Sequence, residues 1–134
     1  MMKIYQTVDK RLERTGHIAE GTWVSLTAPT ADEVRQVAAT LDIEPADLQA
    51  ALDPEESARV SLEDGYTVII VDVPVQVPDK GVGVYTTIPL GILLTQQTIT
   101  TVCAVDTQVL QDFAALRVRE FSTRKKMRFV YQIM

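Results

Sequence analysis

Residues 59–75, RVSLEDGYTVIIVDVPV, decide the fold class of this 134-residue chain. The pair Asp64-Gly65 is a tight-turn signal between two strand-like runs, so the stretch predicts a hairpin of strands 59–63 and 66–75. The second run is rich in β-branched residues, which favours a strand buried on both faces. Pro74 cannot donate a ladder hydrogen bond, so we expect the far end of that strand at a sheet edge or outside the sheet.

Further strands are predicted on both sides of this hairpin. Their positions are residues 3–8, 22–27, 84–95 and 98–105, the last two being joined at Gln96-Gln97. Residues 9–21 are polar and predict a loop that turns at Gly16 and Gly21. Residues 76–83 contain Pro78, Asp79, Gly81 and Gly83 in close succession and predict a flexible loop.

Helical patterns flank the hairpin. Thr30-Ala-Asp-Glu33 is a capping box and opens a helix, a second helix begins at Pro45, and Asp106 or Thr107 caps a third. Their inward residues are predicted to be Val34, Val37, Ala38 and Leu41, then Leu48, Ala51 and Leu52, then Val109, Leu110, Phe113 and Leu116. This order of elements predicts an α/β (α+β) fold, with a mixed sheet of about five to seven strands between helices.

The last residues, 123–134, predict a basic amphipathic helix. Met127, Val130, Tyr131 and Met134 share one helical face, and no Gly, Asn or Pro closes the segment. We therefore expect a globular domain over residues 1–122 and, over 123–134, the start of a longer helix belonging to a larger protein. The apolar face is expected to promote association of the isolated chain.

Composition indicates one soluble domain. Hydrophobic residues make up 46% of the chain and charged residues 23%, and no apolar run is long enough to span a membrane. The single cysteine, Cys103, excludes an internal disulfide and suits a reducing cytosol. Residues 1–106 carry 16 acidic and 7 basic side chains, which disfavours nucleic-acid binding. The basic end is predicted to be a solvated helix face or, alternatively, a segment that approaches a membrane or an acidic partner.

The sequence offers no catalytic constellation. His17 lies in a polar stretch and is expected at the surface, whereas Cys103 lies in an apolar strand and is expected in the core. Gly81-Val-Gly83 is too short for a phosphate loop, and no zinc or calcium spacing is present. We therefore predict no enzyme, no catalytic or cofactor-binding residues and no small-molecule substrate.

Acidic residues cluster around the second predicted helix. Asp42, Glu44 and Asp47 lie near its start, and Asp53, Glu55 and Glu56 lie at its end. Carboxylates are the ligands that Mg²⁺ prefers, but an exposed cluster binds it weakly. We expect a solvated acidic surface here and assign no metal ligand. Trp23 and Tyr66 are predicted to be core or core-edge aromatics.

Three stretches, taken in order, resemble the soluble N-terminal domain of CorA-family magnesium transporters. They are Trp23-Val-Ser-Leu26 with residues 41–48, then Ala58-Arg59-Val60 leading through Asp64-Gly65-Tyr66 to Ile70, then residues 89–94 with 99–102. The resemblance covers roughly residues 22–134. It implies a cytoplasmic α/β domain that leads, through a stalk helix beginning in 123–134, to two transmembrane helices. It also implies a homopentamer that moves Mg²⁺ or similar divalent cations.

One departure from the family pattern concerns metal sensing. Some members read Leu-Glu-Asp-Ile-Leu in the second helix, and that Asp contributes to an inter-subunit metal site; here Leu48 to Leu52 reads LQAAL. Ala50 cannot bind a cation, so the resemblance does not transfer this site, and substitution by Asp47 or Asp53 stays open.

The functional hypothesis is a regulatory domain at the cytoplasmic face of the membrane that responds to Mg²⁺ as a weakly held ion, with no firmly bound cofactor. Its partners are expected to be other copies of itself and its own stalk and transmembrane helices. The alternatives are an ion-independent interaction module of a signalling protein and, less favoured, a small enzyme.

Overall fold

The computed structural model describes residues 1–76, 84–115, 122–123 and 126–133, excepting the side chain of Tyr131. Four of the sequence predictions lie outside this part of the chain. They concern the loop from residue 77 onward, the inward orientation of Leu116, and the positions of Tyr131 and Met134 on the terminal helix face.

Strands and helices of the described residues follow the predicted order closely. The strands are β1 (Met2–Val8), β2 (Arg11–Thr15), β3 (Thr22–Thr27), β4 (Arg59–Glu63), β5 (Tyr66–Gln76), β6 (Tyr85–Thr95) and β7 (Ile99–Cys103). The helices are α1 (Ala31–Leu41), α2 (Pro45–Gln49), α3 (Gln108–Ala114) and α4 (Lys126–Ile133), and a 3-10 turn, Ala50–Leu52, extends α2.

All seven strands belong to one mixed sheet in the order β2-β1-β3-β7-β6-β5-β4. Neighbours are antiparallel except β3 and β7, which run parallel with Trp23 opposite Ile99. The outer strand β4 pairs with β5 only as far as Ile70. Among the described residues no strand continues that pairing, so the far end of β5, where Pro74 lies, is at an edge as predicted.

Strand β2 is an element that the sequence analysis missed, because it predicted a loop over residues 9–21. Asp9 and Lys10 both have positive φ, 49° and 66°, which is the backbone of a tight two-residue hairpin turn joining β1 to β2. Most β2 side chains are exposed on an outer strand, so the alternation that marks a half-buried strand is weak there.

The prediction that β5 is buried on both faces is also wrong in part. Burial alternates along the strand: Tyr66, Val68 and Ile70 are buried, whereas Ile69 and Val71 are only partly covered. The reason is that helices do not cover the two faces of β5 equally.

Helices α1 and α2 pack on one face of the sheet. The Glu33 N–H donates to Thr30 Oγ1 at 3.1 Å and the Thr30 N–H donates to the Glu33 carboxylate at 2.9 Å, which confirms the capping box. The core on this face is formed by Ile4, Val24, Leu26, Val34, Val37, Ala38, Ile43, Leu48, Tyr66, Val68, Ile70, Leu93 and Val102.

Helices α3 and α4 pack on the opposite face, which confirms a sheet lying between helix layers. Thr107, one of the two predicted caps, accepts a hydrogen bond from the Leu110 N–H at 3.2 Å. The second core contains Trp23, Val73, Leu90, Ile92, Ile99, Cys103, Leu110, Phe113, Phe129, Val130 and Ile133.

The orientation of α4 differs from the predicted one. Phe129, Val130 and Ile133 are buried against the sheet, whereas Met127, predicted to lie on the apolar face, is 60% exposed. Two anchors hold α4 in this rotation. At the first, Lys126 Nζ donates hydrogen bonds to the carbonyl oxygens of Thr95, at 2.7 Å, and Gln96.

The second anchor lies just before α4. Thr7 and Thr123 exchange two backbone-to-hydroxyl hydrogen bonds of 2.9 and 3.0 Å, and the Thr123 hydroxyl also donates to the Gly21 carbonyl at 2.7 Å. These bonds tie the entry to α4 to β1 and to the start of β3.

Candidate functional site

The α1–α2 layer concentrates negative charge on one side of the molecule. Residues 31–56 contain eight acidic side chains and one basic side chain, Arg35. Asp42, Glu44 and Asp53 are exposed, and Glu56 is half-buried. This surface is where the sequence analysis expected solvated carboxylates, and we call it the acidic helix layer.

Asp47 is committed to a contact with the sheet. The Tyr66 hydroxyl donates to the Asp47 carboxylate and accepts from the Glu44 N–H at 3.2 Å. Burial together with the Asp47 carboxylate raises the pKa of Tyr66 to about 12. Tyr66 therefore joins the start of α2 to β5, and it is the core-edge aromatic that the sequence predicts.

The acidic residues that follow the 3-10 turn are likewise engaged by their neighbours. The Asp53 carboxylate accepts from the Glu55 N–H at 3.0 Å, and Glu56 forms an ion pair with Arg59 at 3.1 Å. Within the described ranges, no group of three or more His, Cys, Asp or Glu side chains has the spacing to hold a metal ion.

Ala50, where the resemblance implies a metal-sensing Asp in some family members, opens the 3-10 turn and packs partly against the core. Asp47 and Asp53 lie at the two ends of this short segment. Their carboxylates contact Tyr66 and Glu55 respectively, so each already has a partner within the chain.

The two candidates for nucleophilic chemistry lie far apart in the fold. His17 is exposed in the connection between β2 and β3, whereas Cys103 is fully buried in β7. Burial raises the pKa of the Cys103 thiol, which keeps it protonated and unreactive. The structure therefore does not bring these residues together.

A cleft of about 500 Å³, which the sequence analysis did not anticipate, lies on the α3 side of β1 and β3. Its floor includes Tyr5 and Trp23, whose stacked rings are 4.8 Å apart between centroids. Lys3, Ser25, Asp106 and Gln111 also line it, and Gln111 Nε2 donates to the Asp106 carboxylate at 2.9 Å. The register between β1 and β3 places Tyr5 opposite Trp23, and the packing of α3 on this face brings Gln111 to the same cleft.

The polar groups that line the cleft include the hydroxyls of Tyr5 and Ser25. Burial raises the pKa of the Tyr5 hydroxyl, an effect that the Arg14 guanidinium opposes. Ser25 has no histidine among the described lining residues that could act as its base.

Within the residues that the structure describes, the helices are all too short or too polar to cross a lipid bilayer.

The family model described as CorA-like Mg²⁺ transporter protein matches residues 19–134. No curated protein matches the chain significantly.

Solved structures share its fold. The complete CorA magnesium transporter from Methanocaldococcus jannaschii matches with a TM-score of 0.79 and 19% identity, over 99% of this chain and 43% of that one. The soluble domain of the same CorA matches with a TM-score of 0.79, 20% identity and coverages of 99% and 54%. The ZntB cytoplasmic domain from Vibrio parahaemolyticus matches with a TM-score of 0.70, 12% identity and coverages of 98% and 55%. The chain thus spans about half the length of the proteins it matches.

Proposed function

Because this chain belongs to the CorA-like Mg²⁺ transporter family, we propose that it is a cytoplasmic regulatory domain of a divalent-cation transporter. In this proposal the whole protein is a homopentamer at the cell membrane that moves Mg²⁺ or a similar cation. Residues 123–134 lead toward its stalk and transmembrane helices. The domain itself conducts nothing and, in keeping with the family, is not an enzyme.

The acidic helix layer is the observation that carries the regulatory part of this proposal. Residues 31–56 carry eight carboxylates, of which Asp32, Glu33 and Glu56 form ion pairs with Arg35, the Met1 ammonium and Arg59; the five others give that side a negative potential. Two such surfaces in neighbouring copies repel one another unless cations lie between them. Cytosolic Mg²⁺ holds the copies together when it is abundant, and its loss lets the domains shift and the pore open.

The mode of Mg²⁺ binding follows from the contacts of the carboxylates. Asp42 and Glu44 are exposed and not engaged by an ion pair in the described part of the chain, whereas Asp47 is held by Tyr66. Mg²⁺ keeps several of its waters and is held through one or two carboxylates, which fits such a surface. The affinity expected is near millimolar, close to free Mg²⁺ in cells.

Thermal unfolding in MgCl₂ tests this proposal against NaCl of matched ionic strength. A site with a Kd of about 1 mM gives about 1.4 kcal/mol of extra stability at 10 mM Mg²⁺, or a rise in Tm of roughly 5 °C. Equal shifts in both salts would mean that Mg²⁺ only screens charge. That outcome would favour the alternative of an ion-independent interaction module.

Two variants locate the effect. The triple substitution Asp42→Asn, Glu44→Gln and Glu55→Gln removes exposed carboxylates of the acidic helix layer, and we expect it to abolish the extra Mg²⁺ stabilisation. The matched control, Asp9→Asn with Glu13→Gln and Glu20→Gln, removes the same charge from the opposite end of the sheet. Loss of the Mg²⁺ effect in the control would assign it to net charge rather than to this layer.

A further inference from the structure

The outer strand β4 presents apolar side chains to solvent at a sheet edge. Val60 is 67% exposed and Leu62 is 83% exposed. They lie opposite Ile69 and Thr67 of β5, on the face of the sheet that carries α3 and α4. An edge strand with large exposed apolar residues is a template for pairing with another strand.

The sequence of β4 is complementary to itself. It reads Arg59-Val60-Ser61-Leu62-Glu63. A second copy placed antiparallel, with a two-fold axis through Ser61, sets Arg59 opposite Glu63 and Val60 opposite Leu62. Every contact occurs twice, because a two-fold interface is isologous.

The faces of the strand agree with this register. Residues directly opposite each other in an antiparallel pair point to the same face. Arg59 and Glu63 lie on the α1–α2 face, since they pair with Ile70 and Tyr66, both of which belong to the core on that face. Two opposite-charge pairs therefore form on one side of the joined sheet, and two apolar pairs form on the other.

Contacts within the chain leave these side chains able to make the new pairs. Arg59 uses Nε to bind Glu56 at 3.1 Å, and its guanidinium carries further N–H donors. The Glu63 carboxylate accepts from the Ser61 hydroxyl and has further lone pairs. No hydrogen bond of the described residues has to break.

The opposite edge of the sheet lacks this complementarity. Strand β2 reads Arg11-Leu12-Glu13-Arg14-Thr15, and full antiparallel overlap of two copies sets Glu13 opposite Glu13. It also sets Leu12 opposite Arg14. Like charges directly opposite one another are destabilising, so self-pairing favours β4.

We propose that two copies of this chain associate through antiparallel pairing of their β4 strands, joining their sheets into one. A two-fold contact does not close a five-membered ring, so this interface is separate from the contacts that build the proposed pentamer. On the helix face expected from sequence to promote association, Val130 is already buried against the sheet.

Sedimentation equilibrium of the 134-residue chain over a range of concentrations tests the proposal. Arg59→Glu and Glu63→Arg each replace two attractive pairs by two repulsive ones. We expect each to weaken the dimer Kd by about tenfold or more, or about 1.4 kcal/mol. An equimolar mixture of the two variants restores opposite charges at both positions, so a heterodimer is expected with the affinity of the original dimer. The double variant R59E/E63R is expected to recover the affinity on its own.

The controls separate this contact from others. Arg11→Glu and Glu13→Arg make matched charge changes on β2 and are expected to leave the dimer Kd within about twofold, and circular dichroism confirms that each variant folds. A chain that stays monomeric at all concentrations overturns the proposal. So does a dimer that both β4 variants leave intact, or a mixture of those variants that fails to recover. The last outcome would mean that β4 does not pair in this register.

Discussion

Truncation of Phe129 is the most direct test of how α4 packs. Its side chain is fully buried, with ring centroids 5.0 Å from Trp23 in an edge-to-face arrangement and 4.7 Å from Phe113. Phe129→Ala leaves a cavity between these rings and removes two aromatic contacts. A change of this kind costs about 4 kcal/mol.

The expected effect on Tm follows from the size of the chain. The unfolding entropy is about 2.1 cal/mol/K per residue, and the chain has 134 residues. A loss of about 4 kcal/mol in the free energy of unfolding therefore lowers Tm by roughly 14 °C. Met127→Ala, two residues earlier and so on a different face of the same helix, changes a side chain that is 60% exposed and should cost less than about 0.5 kcal/mol.

Thermal unfolding followed by circular dichroism, at one low protein concentration, measures both variants, and urea unfolding with an unchanged m-value confirms that the cost is one of stability. If Met127→Ala destabilised the protein as much as Phe129→Ala, the helix would present the face predicted from sequence, and the packing described above would be refuted. If neither variant changed Tm, α4 would not belong to the cooperative unit.

Two further substitutions probe polar contacts of the α1–α2 face. Tyr66→Phe removes the hydroxyl that joins β5 to the start of α2, through the Asp47 carboxylate and the Glu44 N–H, and should cost about 1 to 3 kcal/mol. In the parent protein this tyrosine should ionise near pH 12 in a spectrophotometric titration, above the ordinary pKa of a tyrosine. Because its pKa is raised by folding, its contribution is complete below the pKa of the unfolded chain and is lost as pH rises through the folded value. The Thr30 N–H lowers the pKa of the Glu33 carboxyl, so Glu33→Gln should reduce stability near pH 7 and have little effect once pH falls below the folded pKa; acid titration of both proteins by circular dichroism checks this sign.

Most of the fold was predictable from local pattern. The turn at Asp64-Gly65, the capping box at Thr30 and the helix start at Pro45 are signals that reside in consecutive residues, and the structure confirms each. Strand β2 was missed because an exposed outer strand needs no hydrophobic alternation. In its hairpin turn Asp9 and Lys10 both have positive φ, but the pair Asp-Lys is not one of the Asn-Gly or Asp-Gly pairs that mark such a turn in a sequence.

The surfaces were less predictable than the elements. The cleft beside Trp23 depends on the register between β1 and β3, and register is a tertiary property. The rotation of α4 depends on Lys126 reaching two carbonyls of the β6–β7 connection, which periodicity within a short helix cannot reveal. The self-complementary order of residues in β4 is visible in the sequence, but it predicts pairing of two copies only once β4 is known to be an outer strand.

The parallel pairing of β3 with β7 imposes a delay on folding while the chain is being synthesised on the ribosome. Trp23 meets Ile99, so the three amino-terminal strands must wait for 76 further residues before their permanent neighbour exists. At translation rates of 5–20 residues per second, that delay is about 4 to 15 s. Until β7 has been made, the edge of β3 that β7 covers lacks its native partner strand, and an uncovered strand edge is a template for pairing with other chains.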